Sequence, residues 1–593
     1  MRREPTTMSD EKFGSPPEDG PGEAIDRPTA AEAEPGMLKS SAVMAVGTIL
    51  SRVTGLLRDI AMVAAIGFGT LADAYSLGNT LPNIIYILIV GGALNAVFVP
   101  QLVRHLTTDT DRGDGYANRL LTLTGLILLA LSVVSVLAAP WIVRLYAPTN
   151  YSPEDLDVAI AFARFCLPQI FFYGMYTMLA QVLNSRGHFA MPMFAPIVNN
   201  ILVIGMAVGF IFVVGDVATI DSITTAQITW LGVGTTLGVV LQAIVLVPVL
   251  RRVGYRFRPK FNYRGYGLTK TGVLAGWTIG LVLVNQIGFV VTTRLATAAN
   301  VNAAALGVVE QGLTTYQKAY LVFMLPQSVI TVSLVTALLP RLSRSASTGH
   351  TREVADGLAN GARLIAALIV PSAAVLVVFG AVITSLVFDV GAGSGAAATY
   401  TGIVVSAFAL GLLPFALFYL LLRGWYSLED TRTPFFATIV FNIILMAFTL
   451  PMYYAAGAAW KITSLALAYS AAYWVTLFIT WWMLSRKLGG LHSRRTTGVI
   501  ARMLVAGVVA GGLGYLTMFG LRAAFSAITG VQLDTGLSGN PVLAIVVLIL
   551  AGGVLLASYA GMCRLLKVSE INDVVRLLGG RVPGLRRFVG SDH

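Results

Sequence analysis

Fourteen largely apolar stretches, each above the ~20 residues a helix needs to cross a bilayer, follow one another through this chain. They fall near 41–63, 73–101, 119–145, 157–184, 191–214, 225–250, 271–297, 309–340, 361–388, 400–424, 434–456, 461–485, 498–522 and 539–565. An unpaired backbone amide in hydrocarbon costs several kcal/mol, so such stretches span as helices. The fold class that follows is an all-α polytopic membrane protein with about 14 transmembrane helices. Only 12% of the 593 residues are charged and 56% are hydrophobic, whereas a soluble chain carries about a quarter charged residues. The net charge of +12 is therefore read against the spans rather than as a sign of nucleic-acid binding.

Residues 1–37 are rich in Pro, Gly, Glu and Asp and lack apolar periodicity, which predicts a disordered cytoplasmic tail. No short apolar stretch with a small-residue cleavage site precedes span 1, so no cleavable signal peptide is expected. Cys166 and Cys563 lie far apart in apolar segments and read as inert buried thiols. The linker from span 6 to span 7 (251–270) holds Arg251, Arg252, Arg256, Arg258, Lys260, Arg264 and Lys270 without one acid. The connections after spans 2, 4, 8, 10 and 12 also carry Lys or Arg. The alternate set carries Glu154, Asp155, Asp157, Asp216, Asp221 and Asp389. This alternation places the basic connections and both termini in the cytoplasm, with contact between the 251–270 cluster and anionic membrane lipids as a lesser reading.

The chain also repeats itself. "PMFAPIVNNIL" at 192–202 aligns with "PFFATIVFNII" at 434–444, an offset of 242 residues, and "FVPQLVR" at 98–104 meets "LLPRLSR" at 338–344 at an offset of 240. The first offset carries Arg52 onto Arg294 in span 7. Six spans per copy means that the copies share orientation, related by a pseudo-two-fold along the membrane normal. The expected organisation is an N-lobe (38–250, spans 1–6), a basic cytoplasmic linker (251–270), a C-lobe (271–486, spans 7–12), spans 13–14 (487–570) and a cytoplasmic tail (571–593).

Span 1 carries Arg52, Arg58 and Asp59, although an arginine at the centre of a membrane helix costs at least ~2.5–3.5 kcal/mol. Arg52, Gly55 and Asp59 share a helix face, with Arg58 about 120° away and nearer the end. In one reading Arg52 pairs with Asp59 or with Asp73 at the head of span 2, and Arg58 snorkels. In the favoured reading Arg52 faces a water-filled cavity and meets an anion, with Arg294 as its counterpart from the second copy. Lys318, inside the apolar run of span 8, is a third cavity cation. Asn79, Asn83 and Tyr86 follow one another at helical spacing in span 2, before Gly91-Gly92; they suit helix–helix bonding or cavity lining. No P-loop, no H-E-x-x-H and no His or Cys cluster with metal spacing occurs in the sequence, so no catalytic residues, metal site or cofactor are expected. Cations spread over three spans without paired carboxylates suit the binding of a large anion better than acid–base chemistry.

"SRVTGLLRDIAMVAAIGFGTLADAYSLGNTLPNIIYILIVGGALNAVFVPQLVR" (51–104), together with "LNSRGHFAMPMFAPIVNN" and "YSLEDTRTPF", resembles the signature of the MurJ (MviN) family of bacterial lipid II flippases. The resemblance covers about residues 38–570. It implies the two six-helix lobes of the multidrug/oligosaccharidyl-lipid/polysaccharide exporter superfamily, with two further C-terminal helices. It also implies a cargo, the undecaprenyl-pyrophosphate-linked disaccharide-pentapeptide called lipid II, carried from the inner to the outer leaflet of the bacterial cytoplasmic membrane by alternating access for cell-wall synthesis. Cell-wall synthesis proteins are the implied partners. The family's cavity residues carry over to Arg52, Arg58, Asp59 and Asp73. The pattern departs where many members have an arginine pair after L-P-N, since Tyr86 and Ile87 stand here, and where they have a glutamate, since Gly91 does. A span-8 arginine of some members falls on Leu321, with Lys318 one turn earlier as its substitute. Substrate binding is thus expected at Arg52, Arg58, Asp73, Arg294, Lys318, Asn83 and Tyr86, and ion coupling at Asp59 or Asp73. An exporter of the same superfamily for another lipid-linked glycan or for drugs is the alternative; drug export would favour a carboxylate-rich cavity.

Overall fold

The computed structural model describes residues 34–88, 113–215, 218–262, 272–531 and 533–571. Its helices, in chain order, are α1 (Glu34–Ile66), α2 (Thr70–Tyr86), α3 (Asp114–Leu137), α4 (Ala139–Tyr146), α5 (Pro153–Cys166), α6 (Gln169–Ser185) and α7 (Ala190–Val214). They continue with α8 (Thr225–Ile244), α9 (Leu246–Arg252), α10 (Gly272–Leu306), α11 (Leu313–Pro326), α12 (Val332–Ser347) and α13 (Thr351–Phe388). The last six are α14 (Gly395–Ala409), α15 (Leu412–Ser427), α16 (Arg432–Ala455), α17 (Lys461–Leu488), α18 (Ser493–Thr529) and α19 (Pro541–Leu565). No strand occurs among the described residues. Eleven segments are long and apolar enough to span, three of them joining neighbouring helices (α5 with α6, α8 with α9, α11 with α12), or twelve if α14 and α15, bent by 49°, form one span. α1 and α2, the latter described only to residue 88, fall outside that count.

Local chemistry sets the ends and breaks. Capping boxes start α5 (Ser152 with Asp155) and α8 (Thr224 with Gln227), each satisfying two otherwise orphaned amides. Pro168 separates α5 from α6 and Gly411 separates α14 from α15. Pro326 lacks the N–H that would continue α11 regularly, and a π-turn over Gln327–Thr331 follows it. α1 begins at Glu34, inside the expected tail of 1–37, because Pro35 fits the first turn, where no amide hydrogen bond is needed. The rest of that tail, Gly91, the Arg264–Lys270 part of the linker and most of the 571–593 tail lie outside the described residues.

The repeat seen in the sequence is also a repeat of packing. α1 packs on α7 as α10 packs on α16, α7 on α8 as α16 on α17, and α2 on α5 as α11 on α14. Likewise α5 meets α8 as α14 meets α17, and α3 meets α6 as α13 meets α15. α18 and α19 pack on each other and both lie against α13. Large apolar side chains such as Phe212, Val508 and Leu565 remain exposed on the outer surface, as expected of a face turned to lipid rather than water. Cys166 and Cys563 are free and buried.

Helices alternate in direction, so connections gather at two ends. The basic end holds Arg186, Arg344, Lys487 and Arg494; the far end holds the 67–69, 307–312 and 389–394 connections. The polar contacts between the lobes concentrate toward the far end. There the Ala392 amide donates to the Ala64 carbonyl (2.8 Å), Asn150 donates to Asn302 (3.1 Å), and Ser76 pairs with Thr314 (3.0 Å). Gly67 and Gly391 meet across this seam with φ of +66° and +59°. A Cβ on either would strike the opposing backbone, so closure at this point requires glycine.

Candidate functional site

Between the lobes lies a cavity of about 200 Å³. α1 contributes Arg58, Asp59 and Met62, and α2 contributes Tyr75, Ser76, Asn79 and Thr80. Tyr173 of α6, Asn199 of α7 and Thr235 of α8 complete the N-lobe wall. The C-lobe enters only through α11, with Thr314, Gln317 and Lys318. The cavity therefore belongs mainly to one copy of the repeat. In the other copy a packed aromatic cluster fills the interior, with Tyr320, Phe323, Phe408, Tyr469 and Tyr473 in edge or tilted contact.

At the centre Asp59 bridges two cations. Its Oδ1 accepts an ion-paired hydrogen bond from Lys318 Nζ, and its Oδ2 lies 3.5 Å from Arg58 Nη2. The Lys318 and Asp59 side chains are only 13% and 15% exposed, so the pair is shielded and its bond joins the lobes. Arg58 also donates to Asn200 Oδ1 (3.4 Å). Asn200 in turn donates to the Ser51 carbonyl (3.2 Å) and the Thr54 hydroxyl (3.0 Å), fixing α7 against α1. Its counterpart at the 242-residue offset, Asn442, donates to Asn285 on α10 (3.1 Å). Asn79 Oδ1 is buried at the cavity without a hydrogen-bond partner, an acceptor left unsatisfied in the closed space.

On the far-end side of the cavity, outside its lining, stands Asp73. Its carboxylate is fully buried and accepts from Asn300 Nδ2 (2.9 Å), the Leu313 amide (3.0 Å) and the Thr314 amide (2.7 Å). The last two are orphan amides at the start of α11, so an acid of the N-lobe caps a helix of the C-lobe. A Cβ on Gly312 would collide with this carboxylate and with Asn300.

The residues expected from sequence are distributed differently than expected. Arg58, Asp59 and Lys318 come together in the cavity, while Asp73 stands outside its lining and joins α2 to α11. Arg52 does not line the cavity and pairs with neither Asp59 nor Asp73; it donates to Ser328 in the π-turn of the C-lobe. Arg294 is also absent from the cavity and reaches the Leu145 carbonyl on α4 (3.5 Å). The arginine pair related by the repeat thus bridges two seams between the lobes instead of converging on one point. The physical reason is that α2, α7 and α11 turn the Arg58 side of α1 inward, which periodicity within α1 cannot decide. Asn83 is exposed, and Tyr86 donates to Thr177 (2.9 Å) within the N-lobe; neither lines the cavity. Tyr75, Ser76, Thr80, Tyr173, Thr235 and Thr314 were not singled out from sequence. The signal that marks several of them is a polar residue on the same face of α2 or α11 as Asp73 or Lys318. No group of three or more His, Cys, Asp or Glu side chains suited to a metal gathers among the described residues.

Comparison with known proteins gives one family. The family model described as lipid II flippase MurJ matches residues 62–531. The lipid II flippase MurJ of Burkholderia cenocepacia is 27% identical over 393 residues, covering 65% of this chain and 72% of that protein. The protein named probable lipid II flippase MurJ of Buchnera aphidicola subsp. Baizongia pistaciae is 26% identical over 445 residues, covering 75% of this chain and 82% of its own length. Among solved structures, a lipid II flippase MurJ in an inward closed conformation superposes with a TM-score of 0.66 at 18% identity, covering 88% of this chain and 99% of its own. An inward-facing multidrug resistance MATE family transporter of the MOP superfamily superposes at 0.55 and 14% identity, covering 74% and 96%. These likenesses identify the fold as the two-lobed exporter architecture.

Proposed function

The chain belongs to the lipid II flippase MurJ family, and on that premise we propose that it carries lipid II across the bacterial cytoplasmic membrane, with Arg58 and Lys318 receiving the diphosphate. It moves a lipid and transforms no bond. The observation that carries the assignment of residues is the ion-paired triad of Arg58, Asp59 and Lys318 lining the cavity between the lobes.

A diphosphate is prohibitively costly to desolvate without compensation. Charge-assisted hydrogen bonds from a guanidinium, whose planar fork engages phosphate oxygens two at a time, offset that cost. In the closed cavity Asp59 occupies both cations. The arriving diphosphate takes its place, and the released carboxylate becomes free to accept a proton or cation, which makes Asp59 the candidate for ion coupling. Asp73 has a different part. With three N–H donors and no cation on its carboxylate, it acts as the latch of the far end. Arg52 and Arg294, at the two seams, lie where a headgroup or its tail would pass.

The cavity volume fits this cycle. About 200 Å³ holds about six waters at ~30 Å³ each, far less than a disaccharide-pentapeptide. The chain is in a closed state, and loading requires the lobes to part at the basic end, where the polar contacts between them are few. With the basic connections in the cytoplasm, that opening faces the side on which lipid II is made, and both termini lie on that side. Release requires the Asp73 latch to open in turn, which is alternating access between two states of the same contacts. A bacterial strain depleted of its own flippase tests the reading: the full chain should restore growth and outer-leaflet lipid II, and failure to restore either at normal protein level would remove the assignment.

A further inference from the structure

A second cavity, about 920 Å³ in volume, opens at the basic end where α13, α17 and α18 meet. Arg352 stands at the start of α13, Lys487 at the end of α17, and Arg494 and Arg495 in the first turn of α18. Lys487 is paired with Asp430 (3.0 Å) and His492 with Asp356 (2.7 Å). Among the described residues the guanidiniums of Arg352, Arg494 and Arg495 have no side-chain hydrogen bond or ion pair. Three uncompensated cations around one concavity, beside the first amides of two long helices, form a seat for a phosphate group.

We propose that this cavity binds the headgroup of an anionic phospholipid of the leaflet at the basic end. One of its acyl chains runs into the apolar groove that the same three helices form deeper in the membrane. Two observations favour a lipid over soluble phosphate. Trp482, in the last turns of α17, is 55% exposed with Arg486 stacked on it at 4.1 Å, and Trp481 donates to Ser493 (3.0 Å), which lines the cavity; tryptophans of this kind sit at headgroup depth. The groove, about 940 Å³, is lined by Val370 and Val377 of α13, Leu467 and Trp474 of α17, and Leu504 and Val508 of α18. At 1.5 Å per residue Leu504 lies ~13 Å along α18 from Arg495, within the ~15 Å depth of one leaflet's hydrocarbon. A lipid held in this way fastens the α18–α19 pair to α13 and so to the C-lobe. This site is separate from the transport cavity and does not depend on what the protein carries.

The test is a lipid titration of the full chain in neutral detergent, read by native mass spectrometry. Phosphatidylglycerol should bind with at least about tenfold preference over phosphatidylcholine. The triple substitution Arg352→Gln, Arg494→Gln, Arg495→Gln should abolish that preference, while Arg251→Gln with Arg252→Gln, at another basic site, should leave it intact. Arg494→Gln alone should lose part of it, which keeps the test open if the triple variant fails to fold. Leu504→Trp, which would fill the end of the groove nearest the cavity, should weaken phosphatidylglycerol binding several-fold. Retained preference in the triple variant would overturn the headgroup site, and full displacement by millimolar inorganic phosphate would show that the cavity takes free phosphate instead. An unaffected Leu504→Trp would remove the acyl chain from the groove. None of these readings involves lipid II, so they stand or fall apart from the transport assignment.

Discussion

Asp59 carries two opposed duties, since it neutralises Arg58 on its own helix and pairs with Lys318 from the other lobe. Removing one partner of a shielded ion pair leaves the other charge uncompensated, at a cost of up to ~3–5 kcal/mol when no second partner exists. Arg58 remains beside Asp59 in Lys318→Ala, so the expected loss is smaller. The exchange Asp59→Lys with Lys318→Asp should recover part of the stability lost by either single change, with a coupling of about 0.5–3 kcal/mol in thermal melts. It should not recover transport, because the cation then approaches from the wrong lobe. The charged character of α1 was legible in the sequence, and so was the need for a counterpart from the second copy. The counterpart itself was not. An offset of 242 points to Arg294, while the residue that meets Asp59 is Lys318, whose place depends on how α11 leans over the N-lobe. The backbone repeats, but the interior chemistry of the copies diverges into a polar cavity and an aromatic cluster.

At the scale of elements, the helices and their order were readable because apolar length alone defines a span. The breaks within spans 4, 8 and 10 were not, since Pro168, Pro326 and Gly411 act only once neighbouring helices accept the bend. Contacts at helix ends are similarly local. The start of α11 depends on Asp73 and on the absence of a side chain at Gly312. Gly312→Ala should therefore push the lobes apart at the far end. The yield of a cross-link between cysteines placed at Ala64 and Ala392 should fall several-fold in that background. At the basic end, Asp430 accepts from the Thr433 amide (2.9 Å) and hydroxyl (2.8 Å) and from Lys487 (3.0 Å). Burial alone would raise its carboxyl, but these bonds outweigh burial and hold it below the usual carboxylate range. A carboxyl depressed in the folded state stabilises above its unfolded value of about 3.9 and loses that contribution as pH falls through the folded value. The melting temperature in detergent should thus drop as pH is taken below about 4, and the drop should be shallower in Asp430→Asn.

The described residues form two related lobes, with α18 and α19 packed against the second, and polar contacts between the lobes hold them closed, among them the Asp73 cap, the Ala64–Ala392 hydrogen bond and the Lys318–Asp59 bridge. Each joins one lobe to the other. The cavity they enclose is too small for the proposed cargo, so the structure represents a state that the cargo must open or leave behind. Repeat and family were both recoverable from the sequence at this scale, because internal similarity and signature motifs survive without knowledge of packing. The central claim, that Arg58 and Lys318 receive the diphosphate, is tested most directly by measuring lipid II accessible at the outer leaflet of a flippase-depleted strain. That strain would carry Arg58→Ala or Lys318→Ala at normal protein level. Each variant should leave lipid II trapped on the inner side, with exposure at least tenfold below that of the unaltered chain. Exposure equal to that of the unaltered chain in either variant would contradict the account.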